Sequence, residues 1–232
     1  MNKALLFILA SVATTVFAGV YDPTPQGKTE VRRHANSFFF DAFIGGTFLN
    51  YETESDNLNP YDFKDEFEGA GPAIGIKLGG MFFELISPHA TLDISFAKGD
   101  RKKTDSQYFS QRDTYEWHDY EWHESVYRIF LGGGVTVFPF RNPESAMHGF
   151  YAGASLGIFA VEGSSDLLRN GSDINNEGFS VKLDLGNVWS VSDRWSIGIG
   201  CAAALDAPIV YGEDESSRSF TSLWLGAKFT RK

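Results

Sequence analysis

Eight segments of this chain switch, residue by residue, between a bulky apolar side chain and a small or polar one. Successive side chains fall on opposite faces only in an extended strand. A repeat of two therefore demands a sheet whose faces differ in chemistry, and it excludes a helical fold. The segments run from Ser37 to Tyr51, Ala70 to Phe83, Ala90 to Gly99, Ser125 to Val137, Gly149 to Val161, Gly178 to Trp189, Trp195 to Leu205 and Ser219 to Phe229. One face carries rows such as Phe38, Phe40, Ala42, Ile44 and Phe48, or Tyr127, Ile129, Leu131, Val135 and Val137. The other face is small, with isolated mid-strand charges: Asp41, Asp93 and Asp184 against Lys77, Arg128 and Lys182. The 24 glycines and 21 phenylalanines suit tightly packed strands better than helices.

The region before the first strand reads differently. Residues 1–18 have the form of a secretory signal peptide, with Lys3 at the start, an apolar run from Ala4 to Ala13, and small residues at Val16 and Ala18 before a cut. Residues 19–36 are polar and broken by Pro23, Pro25 and Gly27, the pattern of a flexible periplasmic leader. The chain is thus expected to leave the cytoplasm. No later stretch reaches 18 consecutive apolar residues, so a spanning helix is excluded and the exported chain is either soluble or a barrel of strands. A net charge of −10 argues against a nucleic-acid partner. The lone Cys201 forms no intrachain disulfide and no Cys-based metal site.

Alternation alone does not say which face points inward. A soluble barrel turns its apolar face in; a membrane barrel turns it out. Three features favour the second arrangement. The polar face is small, as the narrow inside of an eight-stranded barrel requires, and its three acids and three bases are able to pair there. The connections run roughly 18, 6, 25, 11, 16, 5 and 13 residues, so long and short ones alternate and sort to opposite ends. The four long ones hold 22 acids and 7 bases. Aromatics mark the short-turn end, with Phe38, Phe40, Phe82, Phe150, Trp189, Trp195 and Phe229, and also Phe138, Phe140 and Tyr151, the composition of a bilayer interface.

With these features the chain resembles the OmpA/OmpX-type small outer-membrane β-barrels of Gram-negative bacteria, over about residues 37–229. The resemblance rests on export signal, strand number, alternation and loop sorting. It implies an all-β, eight-stranded antiparallel up-and-down transmembrane β-barrel over residues 37–232, in the outer membrane. Its lumen would be filled by a network of Asp41, Lys77, Asp93, Arg128, Lys182 and Asp184. Phe229 is similar to the terminal aromatic that the barrel-assembly machinery reads in this family, although Thr230, Arg231 and Lys232 follow it. The expected partners are outer-membrane lipid, lipopolysaccharide, that machinery and an unidentified extracellular ligand. The expected state is a monomer with a structural or surface-binding role, without catalytic residues, cofactor or metal.

Two local features suggest other chemistry. The repeat Tyr115-Glu116-Trp117-His118-Asp119, Tyr120-Glu121-Trp122-His123-Glu124 places its histidines on opposite faces of a strand, which argues against joint metal ligation. It reads instead as a loop stem that dips Trp117 and Trp122 into the outer interface. His123 and Ser125 share a face, and outer-membrane lipid A deacylases resemble this barrel and use such a pair with an acid; no acid stands in that family's pattern here. The alternatives are therefore a lipid A-modifying enzyme and a secreted lipocalin-like binding barrel.

Overall fold

In the computed structural model, residues 37–55, 63–109, 114–140, 142, 144–164, 175–209 and 216–231 are described. The expected export signal and leader lie outside them. Eight strands follow in order: β1 (Ser37–Ser55), β2 (Phe63–Met81), β3 (Ile86–Phe109), β4 (Thr114–Val137), β5 (Phe150–Ser164), β6 (Asn175–Ser190), β7 (Trp195–Pro208) and β8 (Ser216–Arg231). Each pairs antiparallel with its neighbours in sequence, and β8 pairs back onto β1, so the sheet closes without an edge at the barrel's waist.

The register fixes the size of that barrel. Stepping from partner to partner, Phe39 leads to Gly79, His89, Gly134, Ser155, Lys182, Ala204 and Ser222, and Ser222 returns to β1 at Leu49, ten residues further on. A stagger of ten over eight strands tilts the strands about 40° from the axis and sets a radius of roughly 8 Å, from strand spacings of about 3.3 and 4.8 Å. Each residue then climbs about 2.5 Å along the axis. A tube that narrow is filled by its own side chains.

Three connections, β2–β3, β4–β5 and β6–β7, lie with the chain ends at one rim. Between β2 and β3, Leu85 N–H donates to Phe82 C=O at 3.0 Å, and Phe83 and Glu84 take the positive φ pair (56° and 55°) that a type I′ turn uses. Between β4 and β5, Gly149 has φ 90°, and a Cβ there would sit 1.9 Å from the Val188 carbonyl oxygen, so only glycine fits.

At the opposite rim the strands run further than alternation alone suggested. β1 continues to Ser55 and β2 begins at Phe63, while β3 and β4 are 24 residues each. Residues expected in long loops, among them Glu52, Asp65, Glu66, Glu68 and Asp100, are in fact paired strand residues. The reason is local: Tyr51, Thr53, Asp65 and Phe67 keep alternating inward beyond the apolar rows, and an antiparallel ladder needs only a partner to continue. β5, by contrast, pairs with β4 only up to Ser125–Ser164. Among the described residues, the β3–β4 hairpin therefore projects above the rest of the ring.

Candidate functional site: a sealed lumen, an apolar belt and a projecting wall

The exterior is apolar around the whole ring. Ile44, Ile74, Leu92, Leu131, Leu156, Val181, Ile199 and Leu225, one from each strand, are all exposed, Leu225 at 70%. A soluble monomer does not leave so continuous a patch open to water. The belt is bounded below by Phe38, Phe82, Trp189, Trp195 and Phe229, exposed on the outer face at the short-turn rim. Phe40 and Phe150 stand in the same row, with their rings packed edge-on against Trp195 and Phe140 at 6.3 and 5.9 Å. Phe138 and Tyr151 do not join it; both are buried and point into the lumen, because they fall on the other phase of the alternation.

A second aromatic row, not anticipated from sequence, bounds the belt above: Phe48, Phe96, Tyr127 and Phe179, with Phe96 and Tyr127 rings 4.9 Å apart. From Phe38 to Phe48 on β1, and from Trp189 to Phe179 on β6, is ten residues. At about 2.5 Å per residue the belt is about 25 Å tall, the thickness of the apolar band of an outer-membrane barrel. The crossing is made by strands; no helix among the described residues is long and apolar enough to span a membrane. The lipocalin-like alternative required these rows at the centre of the molecule, and it is corrected by their exposure.

The lumen is charged in its middle and apolar at both ends. Asp41, Lys77, Asp93, Arg128, Lys182 and Asp184 are all buried inside it. Lys77 bonds Asp184 at 2.7 Å across the barrel, Lys182 bonds Asp93 at 2.5 Å, and Arg128 holds Asp206 through two nitrogens, each at 2.6 Å. Lys228 bonds Asp41 at 2.6 Å and lies 3.8 Å from Asp184. Asp206 and Lys228 were missed from sequence. Lys228 was legible in the alternation between Ala227 and Phe229, whereas Asp206 fell in a stretch taken as loop. With them, the four bases within the belt meet four acids, and each buried charge has an opposite partner, as burial requires.

The inward face is also far bulkier than expected. Phe39, Met81, Phe138, Tyr151 and Val188 close the short-turn end. Leu49, Tyr51, Phe67, Val126, Phe159, Val161 and Phe220 close the other. Trp224 lies between the plugs, with Arg128 and Lys182 over its ring at 5.0 and 4.7 Å. A cavity of about 30 Å³ remains among the middle charges, room for a single water. Large rings fit because the glycines facing them leave space: Gly200 and Gly186 lie against the Tyr151 hydroxyl, and Gly69 against the Phe67 ring.

Above the belt, Arg101 on β3 bonds Asp65 on β2 (2.6 and 2.8 Å) and Glu124 on β4 (2.9 Å). Burial pulls the Arg101 pKa down, but Asp65 and then Glu124 outweigh it and hold the guanidinium above its ordinary range. Burial raises the Glu124 carboxyl above its usual value, against the pull of Arg101. Trp122 does not dip into the outer interface; it is half-buried beneath the Arg101 guanidinium, 5.2 Å from ring to cation, well above the belt. On the outer face, His123 Nδ1 pairs with Asp100 Oδ1 at 2.5 Å, and Ser125 lies two residues along. Asp100 is the acid that sequence spacing did not reveal, because it comes from the neighbouring strand. Among the described residues no group of three or more His, Cys, Asp or Glu is arranged to hold a metal ion.

No family model matches the sequence, and no curated relative does. Among solved structures the chain is similar to the outer membrane protein OprG of Pseudomonas aeruginosa (10% identity, 84% of this chain and 96% of that one, TM-score 0.42). It is similar to Neisserial surface protein A (12% identity, 86% and 99%, TM-score 0.42) and to the outer membrane protease OmpT of Escherichia coli (9% identity, 90% and 99%, TM-score 0.42). Likeness at that level carries nothing about activity or partners. The molecule's own exterior defines its class: an eight-stranded transmembrane β-barrel of the outer-membrane type, and the outer membrane of a Gram-negative bacterium is the bilayer such a belt fits.

Proposed function

We propose that this barrel is a sealed, monomeric outer-membrane scaffold that holds an acidic wall of strands out from the cell surface, with a structural or surface-binding role and no transport through the lumen. The observation that carries this reading is the double closure, two apolar plugs around a charge-paired middle with a cavity of about 30 Å³. A hydrated ion finds neither a continuous aqueous path nor unpaired charge to replace its water shell. Lipid and lipopolysaccharide contact the belt, and the barrel-assembly machinery acts on β8 during insertion. The rim above the belt, with Glu52, Glu66, Glu68 and Asp100 facing out, is the surface offered to an extracellular ligand. The purified protein in planar bilayers is expected to give no stable conductance, and steady single channels of porin size would overturn the sealed lumen. Surface labelling of Lys98 or Lys102 on intact cells tests the orientation.

One observation favours a second reading. Asp100 orients His123, and Ser125 shares their face just above the belt, where outer-leaflet acyl esters lie. An acid, a base and a hydroxyl in that order is the arrangement of an ester hydrolase. Ser125→Ala separates the two readings: a change in the acylation of outer-leaflet lipid supports hydrolysis, and an unchanged lipid profile supports the scaffold alone.

A further inference from the structure

We infer that a cleft on the outer face of β1, β2 and β3, just above the apolar belt, seats the headgroup of a phosphatidylethanolamine-type lipid, with Lys98 taking the phosphate and Glu68 the primary ammonium. This goes beyond the scaffold reading, and it needs only the depth of the belt, not the direction in which the barrel faces.

The first observation is the cleft itself. It has a volume of about 480 Å³ and is lined by Phe48 and Asn50 on β1, Glu68 and Ala70 on β2, and Lys98 and Asp100 on β3. All six fall on the outward phase of their strands. Phe48 belongs to the upper aromatic row, and its register partner Ala70 is too small to wall the cleft off from the belt. A ligand seated there can keep an apolar tail against the barrel, and a soluble headgroup has no tail to place.

The second observation is unspent charge of both signs. Among the described residues Lys98 meets no acid within ion-pair distance, and Glu68 holds only a 3.4 Å bond from Asn50. Their neighbours are engaged. Asp100 holds His123, Lys64 bridges Glu52 and Glu66, and Lys102 leans toward Glu121 at 3.9 Å. The lining sets four acids against two lysines, so a ligand that carries phosphate alone meets a net negative field. A headgroup with one charge of each sign satisfies Lys98 and Glu68 together through charge-assisted bonds.

The third is depth. Lys98 lies two residues, about 5 Å along the axis, beyond Phe96 of the upper aromatic row. Asp100 is about 5 Å further out, and its partner Glu68 stands about 3 Å lower than Asp100 because the strands tilt by about 40°. Lys98 and Glu68 are therefore diagonal neighbours on adjacent strands at nearly one height. That height is the layer directly above the acyl chains, where a lipid carries its phosphate and the ammonium on its two-carbon arm.

The test is native mass spectrometry of the folded full-length protein, released from detergent with equal amounts of phosphatidylethanolamine, phosphatidylcholine and phosphatidylglycerol of one acyl composition. A single ethanolamine-lipid adduct should be enriched about tenfold over either of the others, the difference made by one charge-assisted bond. Lys98→Gln and Glu68→Gln should each abolish the enrichment, and Glu68→Lys should turn it toward phosphatidylglycerol. Glu162→Gln, at a similar height on β5, should leave it intact; a gel shift on boiling shows that each barrel is folded. Equal binding of choline and ethanolamine lipids, a wild-type preference for the glycerol lipid, or enrichment that survives both neutral substitutions would each overturn the site. Displacement of the lipid by an equal amount of free phosphoethanolamine would overturn it too, because the soluble group lacks the tail that the belt holds.

Discussion

Arg128 gives the sharpest measure of what the charged lumen contributes. Its side chain is 1% exposed and joins β4 to β7 through two 2.6 Å bonds to Asp206, itself fully buried. Charge centres about 4 Å apart attract by about 4 kcal/mol at an effective dielectric of 20. Arg128→Met removes that attraction and leaves the Asp206 carboxylate buried without its partner, a loss of about 3–5 kcal/mol. The double change Arg128→Met with Asp206→Leu removes both charges and fills the space with apolar atoms, so it should recover most of that loss. Arg128→Lys should fall between, because an ammonium cannot hold both carboxylate oxygens in one plane. Urea titration of barrel refolded in lipid vesicles, followed by the heat-dependent gel shift and applied also to Asp206→Leu alone, gives all five free energies. If Arg128→Met costs under about 1 kcal/mol, or if the double variant costs the sum of its parts, paired charge is not what holds the lumen together.

Three other outcomes follow from the same geometry. Leu225→Arg at mid-belt should cost about 2–4 kcal/mol in a bilayer, and Phe38→Arg at the lower rim no more than about 1, as read by insertion yield into vesicles; equal costs would remove the depth assignment. Phe83→Asn with Glu84→Gly places residues suited to positive φ in the β2–β3 turn and should stabilise the barrel by about 1 kcal/mol in the same urea titration. Glu124 has a folded pKa above its ordinary 4.5, so the unfolded chain ionises first. Its contribution is fullest below pH 4.5 and declines as pH rises through the folded value. Glu124→Gln should flatten that slope in hydrogen exchange of the β2–β3–β4 rim, and an unchanged slope would assign it elsewhere.

Strand number and phase were legible in the sequence because each depends on a repeat of two read along one segment, and the apolar exterior became legible once the small polar face and the sorting of long and short connections were added. The six mid-strand charges and the lower aromatic row could be named for the same reason. Who pairs with whom was not legible. Lys77 and Asp184 are separated by 107 residues and meet only because a stagger of ten brings β2 and β6 across a narrow tube. Asp100 reaches His123, and Arg101 reaches Glu124, through cross-strand register, which spacing within a segment does not encode. The inward aromatics were hidden for a related reason. Phe39, Phe67, Tyr151 and Phe159 occupy the polar phase, and the Tyr151 ring fits there beside Gly186 and Gly200, which come from β6 and β7. The linear pattern thus divided each strand into two faces, and the connection lengths favoured the apolar one as the side toward lipid. Closure of the ring alone decided which charges neutralise one another, where the lumen is sealed and how far the wall projects, since those are distances between strands and not along them.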